Sequence, residues 1–477
     1  MNTASFFNTV NGESRSGSAT YRGIDPATRK YLWDVPVATR QDLDDAVTAA
    51  QTAFKSWSVL PFDERKQFGI RFGNLYEENL RFFHELTAKE CGRPKIVNEA
   101  LSGYNMYRYH SVTLELPQHK VEDPDRTIIT QYVPMGVVGA ICPWNFFIRR
   151  TKCITALGKI APALLAGCCV IVKPSPFTPY SALKLVELAQ QVFPPGVLQA
   201  LGGEESLGPW MTEHPGIHKI SFTGSIATGK RVMRACAATL KRVTLELGGN
   251  DASIICGDID IAKVAPLVTN GAFRNSGQQV CTATKRIYVH ESIYSDFVKA
   301  MVAHATTLTL GDSEMRDDVK LGPVQNQMQY SKVREYFDDC TRNGYTFAIG
   351  RSPEDIEGEG YFVQPTIIDN PPAKSRIVVE EPFGPIVPVI SWSEEEEVIR
   401  AANDTNTGLA GCVWTADAVR GRRIADQLEA GNIFINSAEA VTPKAVFSGH
   451  KESGLGSEWG PTSLLNYCNT KVVHIFK

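Results

Sequence analysis

The chain has 477 residues, 43% hydrophobic and 21% charged, with a formal net charge of -3. That length is too great for one simple core and predicts two or more domains. The charge balance gives no general pull toward nucleic acid or an anionic membrane, and no run reaches the roughly 18 apolar residues of a membrane span.

The eleven cysteines are odd in number and include no Cys-x-x-Cys pair, which argues against a disulfide scaffold and against a zinc ribbon. Reduced thiols fit a cytosol-like compartment. The opening MNTASFFNTVNGESRSG has neither the basic nor the apolar stretch of a secretory signal. The expectation is a soluble, cytoplasmic protein without a resident metal.

Alternating helix and strand patterns predict an α/β architecture. Gln41 to Trp57 places Ala46, Ala49, Ala50, Phe54 and Trp57 near one helical face. Ile160 to Val172 reads as a core helix running into a strand, with CCVIVK (Cys168 to Lys173) apolar and β-branched like a buried parallel strand. Ser181 to Val192 predicts a helix closed by Pro194, Pro195 and Gly196. A strand over His218 to Phe222, a helix over Gly229 to Leu240 and a strand over Val243 to Leu247 continue a nucleotide-binding rhythm. A second series follows with strands at Ala252 to Cys256 and Arg286 to His290, then a helix from Ile293 to Thr306. Arg126 to Val133 and Lys471 to Phe476 read as exposed strands that invite pairing with another subunit. The acidic run Glu394 to Glu397 reads as a solvated helix face.

Four stretches carry chemistry. In FRNSGQQVCTATKR, Cys281 emerges from a glycine- and amide-rich loop with a basic pair behind it, a setting suited to an accessible nucleophilic thiol. In VTLELGGND, Glu246 ends a strand before two glycines, where a carboxylate can act as a general base. In ICPWNFF, Asn145 offers an amide donor for an oxyanion. In SFTGSIATGKR, a strand, a small-residue turn and a helix N-terminus make a phosphate site. Gly224 and Gly229-Lys230 have P-loop spacing, but Arg231 stands where a magnesium-binding hydroxyl belongs, which argues against an ATPase.

Taken in order, PWNF, KPSP, FTGS, LELGG, the Gly-Gln-Cys loop, EEPFGP and FSGHKESG resemble the NAD(P)-dependent aldehyde dehydrogenase superfamily over about residues 20 to 475. The resemblance implies a Rossmann-type cofactor domain (1–111 and 134–246), an α/β catalytic domain (247–446) and small β oligomerisation strands (112–133 and 460–477). It implies oxidation of a small-molecule aldehyde to a carboxylic acid through a thiohemiacetal and thioester on Cys281. Asn145 would hold the oxyanion and Glu246 would activate the hydrolytic water. For the cofactor it implies Lys173 at the adenosine ribose, Gly224 and Ser225 at the pyrophosphate, and Trp144, Glu381 and Phe383 on the nicotinamide side. Glu458 resembles a second carboxylate near the site, and related proteins are homodimers or homotetramers.

The sequence also departs from that pattern. Relatives that select NAD commonly carry a glutamate three residues after the cofactor lysine, where this chain has Pro176. Its loss removes a bar to NADP without adding an arginine, so NAD is expected with NADP as the alternative. Asn145 lies fourteen positions before Lys159, which implies about five inserted residues, and Arg149, Arg150 and Lys152 there suggest a basic lip for anionic aldehydes. Gln279 and Val280 both intervene between the Gly-Gln pair and Cys281, one residue more than relatives have. Two rival functions follow: a catalytically weakened cofactor-binding homologue, and a cofactor-independent thiol hydrolase partnered by His290 or His450.

Overall fold

The computed structural model describes residues 5–94, 114–145, 154–353, 360–438 and 440–477. Two large sheets organise it. In the first, Leu198–Ala200, Cys169–Lys173, Val137–Ile141, Lys219–Thr223 and Arg242–Glu246 lie side by side in that order and run parallel. Antiparallel strands close its edges, Asn8–Val10 and Glu13–Arg15 at one side and Gly454–Leu455 at the other. In the second, Thr366–Asp369, Ile386–Trp392, Arg286–His290, Ala252–Ile255, Ala410–Trp414 and Asn432–Ile435 are parallel. Both parallel sets are covered by helices, as βαβ connections require.

The strand order of the first sheet fixes the ligand crevice. From the Val137 strand the chain steps one way to the Cys169 and Leu198 strands, then returns to the other side for the Lys219 and Arg242 strands. Such a reversal opens a cleft at the carboxyl ends of the two central strands. Ile141 and Thr223 are those ends, so the loops carrying Trp144-Asn145 and Gly224-Ser225 face one another across the cleft.

Local signals explain most boundaries. The first helix, Arg40–Trp57, starts where Thr39 and Asp42 cap each other reciprocally, and it buries Leu43, Ala46, Val47, Ala50 and Trp57 on one face. The helix expected from Gly229 begins earlier, at Ile226, because the Ser225 hydroxyl accepts the Thr228 N–H and caps it. It ends at Ala237 rather than Leu240, whose φ of 51° is left-handed. The expected Ser181–Val192 helix runs from Tyr180 to Ala189 and breaks into tight turns before Pro194. Of the acidic run, Glu394, Glu396 and Glu397 face solvent, but Glu395 turns inward to bind Arg420 and Arg423.

A third sheet stands apart. Arg126–Pro134 pairs on one side with His119–Glu122 and on the other with Cys468–Phe476, the latter through nine antiparallel pairs. Val121, Val472, Ile475 and Phe476 on its outer strands are exposed. Among the described residues, no helix is long and apolar enough to cross a membrane.

Candidate active site

A cavity of about 990 Å³ opens at the crevice, and Trp144, Asn145, Lys173, Gly224, Ser225, Cys281, Glu381 and Phe383 all line it. Eight of the nine residues singled out from sequence therefore share one space. Glu246 does not line it; its carboxylate stands behind the wall made by Leu247 and Gly248.

The half of the cavity beside the first sheet is built for a ligand with hydroxyl and phosphate groups. Lys173 ends its strand and is 7% exposed, yet among the described residues its ammonium makes one hydrogen bond, to the Pro174 carbonyl at 3.3 Å. Burial lowers its pKa to about 8. The Thr223 hydroxyl is buried in the same wall, without a partner among the described residues. Gly224 is required there, because a Cβ would collide with the Phe222 ring. The Ile226–Ala237 helix aims its unpaired N–H groups and positive dipole end at the cleft.

Across the cavity, Trp144 and Phe383 meet edge to face with ring centroids 5.4 Å apart. Phe383 holds a left-handed φ of 54°, a strained value for a bulky residue. Gln329 clamps it there by donating to the Pro382 and Phe383 carbonyls at 2.9 and 3.2 Å. Glu381 Oε1 accepts the Gly249 N–H at 3.4 Å and pairs with the Lys285 ammonium at 3.3 Å.

The loop that carries Cys281 leaves the end of the Ile261–Gln278 helix through two consecutive left-handed residues, Gly277 at φ 85° and Gln278 at φ 55°. Glycine is needed at 277, where a Cβ would strike Pro385. Gln278 donates to the Ile386 carbonyl at 3.0 Å, while the Gln279 side chain accepts the Gln325 N–H and donates to the Pro323 carbonyl. Cys281 emerges half-buried, against Leu409, Phe447 and Trp459. Burial pushes its thiol up to about 12, opposed by Lys285 and reinforced by Asp251, Glu381 and Glu246. The Asn145 amide donates to the Gln279 carbonyl at 3.3 Å, so it reaches the loop two residues before the sulfur.

Behind the wall lies a buried polar cluster that sequence reasoning saw only in part. Lys159 donates to Ser221 Oγ at 3.0 Å and to Glu458, and the Ser221 hydroxyl donates to Glu458 at 2.9 Å. Both Glu246 oxygens are buried, without a hydrogen-bond partner among the described residues. Burial raises the Glu246 carboxyl well above its ordinary value, the Glu458 charge raises it further, and Lys159 opposes them. The Glu458 position was visible as a motif match; Lys159 and Ser221 read as an ordinary helix and strand. The basic segment with Arg149, Arg150 and Lys152 lies outside the described residues, and so does the lip idea built on it.

The family model described as the aldehyde dehydrogenase family matches residues 13–473. The chain belongs to that family. It is 44% identical over 480 residues to aldehyde dehydrogenase LUC3 of a Fusarium species, with both chains fully covered. The NAD+ complex of an aldehyde dehydrogenase from Bacillus cereus superposes with a TM-score of 0.94 at 34% identity, covering 99% of this chain and 96% of that one. An Escherichia coli NADP-dependent enzyme superposes with the same score of 0.94 at 31% identity, covering 100% and 99%. The enzyme is thus an aldehyde dehydrogenase that oxidises its substrate with NAD(P)+. This displaces the cofactor-independent hydrolase. His290 is engaged with Ser292 and Trp392, and neither it nor His450 lines the cavity with Cys281.

Proposed function

We propose that Cys281 is the nucleophile of this aldehyde dehydrogenase, with Asn145 as oxyanion donor and Glu246 as the base for hydrolysis. The observation that carries this reading is the shared cavity, in which Cys281 and Asn145 line the same space as the Lys173 and Gly224-Ser225 cradle. The cradle suits a dinucleotide: a buried ammonium with spare donors, an unpartnered hydroxyl and a helix N-terminus match ribose hydroxyls and a pyrophosphate. Lys173, Gly224 and Ser225 would hold that part, and Trp144, Glu381 and Phe383 the nicotinamide side. When bound, the nicotinamide supplies the acceptor for the aldehyde hydride.

The Cys281 sulfur adds to the aldehyde carbon, and the carbonyl oxygen takes up the electron pair as an oxyanion. Asn145 meets that charge with an amide N–H, together with the backbone N–H of Cys281. Loss of hydride leaves a thioester on Cys281. Glu246 then takes a proton from the water that attacks the thioester carbon, and the acid departs as the thiol re-forms. Burial beside Glu458 favours the neutral form of Glu246 at rest, so its carboxyl must release that proton on leaving the wall before it can take one from the water. Reaching the water requires its side chain to swing past Gly248 and Gly249, residues without side chains to block it. The gathering of Cys281 and Asn145 with the cofactor cradle in one cavity supports a working dehydrogenase over a weakened binding homologue.

NAD is the proposed cofactor. Pro176 lines the cavity without the glutamate charge of NAD-selective relatives, but Glu204 and Glu205 in the same wall disfavour an added phosphate. We propose the division into cofactor and catalytic domains along the two sheets, with Gly454–Leu455 joining the first from outside the cofactor-domain bounds, and the third sheet is proposed to join copies into a homodimer or homotetramer. Its exposed apolar outer strands support that role. Among the described residues no disulfide joins two cysteines, which supports a reducing, cytoplasm-like compartment.

The test is reduced-nicotinamide absorbance with NAD and with NADP against a panel of aldehydes. Cys281→Ala is expected to lower turnover by about three orders of magnitude or more. Undiminished turnover in that variant would overturn the nucleophile assignment.

A further inference from the structure

Lys285 is fully buried, and its ammonium has three acceptors: the Val280 carbonyl at 3.0 Å, the Cys281 carbonyl at 2.5 Å and Glu381 Oε1 at 3.3 Å. Its backbone is equally fixed. The Lys285 N–H donates to the Asp251 carbonyl at 2.9 Å, beside the start of the Arg286–His290 strand. The side chain therefore folds back from a rigid strand end beneath the loop that carries the thiol. Among the described residues the loop carbonyls meet few donors: the Ala283 N–H reaches Val280 at 3.2 Å, the Asn145 amide reaches Gln279 at 3.3 Å, and the lysine gathers Val280 and Cys281. Glu381 reaches the ammonium from the opposite wall and shares the same oxygen with the Gly249 N–H.

We infer that Lys285 is a positioning residue for the reaction: its ammonium fixes the carbonyls of the nucleophile loop, and Glu381 sets how much positive charge it presents to the Cys281 sulfur. The inference rests on Cys281 being the nucleophile. The charged groups that act on the thiol come from several elements. Asp251 and Glu246 lie at either end of the turn joining the two sheets, Glu381 follows the Arg376–Val379 helix, and Lys285 precedes its strand. Lys285 alone among these four favours the thiolate. It exchanges no proton and touches no substrate. It acts through Cys281, by holding the sulfur in place and by lowering the free energy of the ionised form.

A lysine that merely filled acceptors would leave the thiol's reactivity insensitive to charge. The test uses the full chain and reads the rate at which iodoacetamide alkylates Cys281, mapped by peptide mass spectrometry, between pH 7 and 9.5. Lys285→Met is expected to slow alkylation about three- to tenfold at each pH and to lower kcat by a similar factor, with cofactor KM within about twofold. Lys285→Arg, which keeps the charge, is expected to stay within about twofold of the parent rate. Glu381→Gln leaves the lysine in place and removes its counter-charge, so alkylation should accelerate about threefold or more. Rates that move in the same direction in Lys285→Met and Glu381→Gln, or that move in neither, overturn the inference. Should Lys285→Met fail to fold, an unaccelerated Glu381→Gln is enough to overturn it. The alkylation rate is read without turnover, so a failure here is distinct from a Cys281→Ala variant that keeps its activity, which would overturn the parent reading instead.

Discussion

Lys159→Met isolates the cluster behind the active-site wall. Methionine keeps the length of the side chain and removes the ammonium that binds Ser221 and Glu458. Lys159 is 0% and Glu458 5% exposed, so water cannot take the lost partner's place. The stranded Glu458 carboxylate must then be held protonated, next to a Glu246 already driven that way by burial. Holding a carboxyl protonated at pH 7 against an ordinary value of about 4.3 costs about 3.7 kcal/mol, inside the range of about 3–5 kcal/mol for stripping one partner from a buried pair. For a chain of this length that lowers the melting temperature by roughly 4 °C. The sign with pH follows from proton counting. A carboxyl raised in the fold stabilises at low pH, and that contribution is lost as pH rises through its folded value. The parent has one such group and the variant two, so the variant's shortfall shrinks on acidification, to roughly 2 °C at pH 5.5. Differential scanning calorimetry at matched scan rates, at pH 5.5 and 7, measures both. A shortfall under about 1 °C at pH 7, or one equal at the two pH values, would refute the reasoning.

Two further expectations concern the cofactor and the assembly. Pro176→Glu restores a carboxylate three residues after Lys173 in the cavity wall, and it should reduce kcat/KM with NADP relative to NAD by about tenfold. An unchanged ratio in paired absorbance assays would show that Pro176 does not face the adenosine ribose. Val472→Glu with Phe476→Glu places like charges on the exposed strand of the third sheet, and light scattering after size exclusion should show a smaller species. An unaltered mass would remove that sheet from the assembly surface.

The architecture was readable where local chemistry and tertiary need coincide. CCVIVK could hardly be anything but a buried strand, and Arg286–His290 appears with the boundaries its pattern implied. The helix after Gly224 was misplaced by three residues because its start depends on the Ser225 cap, a single side-chain hydrogen bond that periodicity does not register. The cavity residues were legible because short motifs fix them one by one. The supporting lysines were not. Lys159 and Lys285 act through partners 299 and 96 positions away in the chain, Glu458 and Glu381, and no spacing rule spans such separations. Glu246 shows the complementary limit. Its motif identified the residue, but only the fold reveals that its carboxylate rests behind the cavity wall beside Glu458.

The third sheet also bears on how the chain is made. The Lys477 ammonium donates to the Asp123 carbonyl from 354 positions away, and the nine pairs of Cys468–Phe476 with Arg126–Pro134 span similar separations. At synthesis rates of roughly 5–20 residues per second, the Arg126 strand waits about 20 to 70 seconds for its partner. Through that interval one edge of an apolar strand is unprotected on the ribosome, where it can pair with any other extended segment. Late translation is therefore a stage at which this strand's edge stands open before its partner exists.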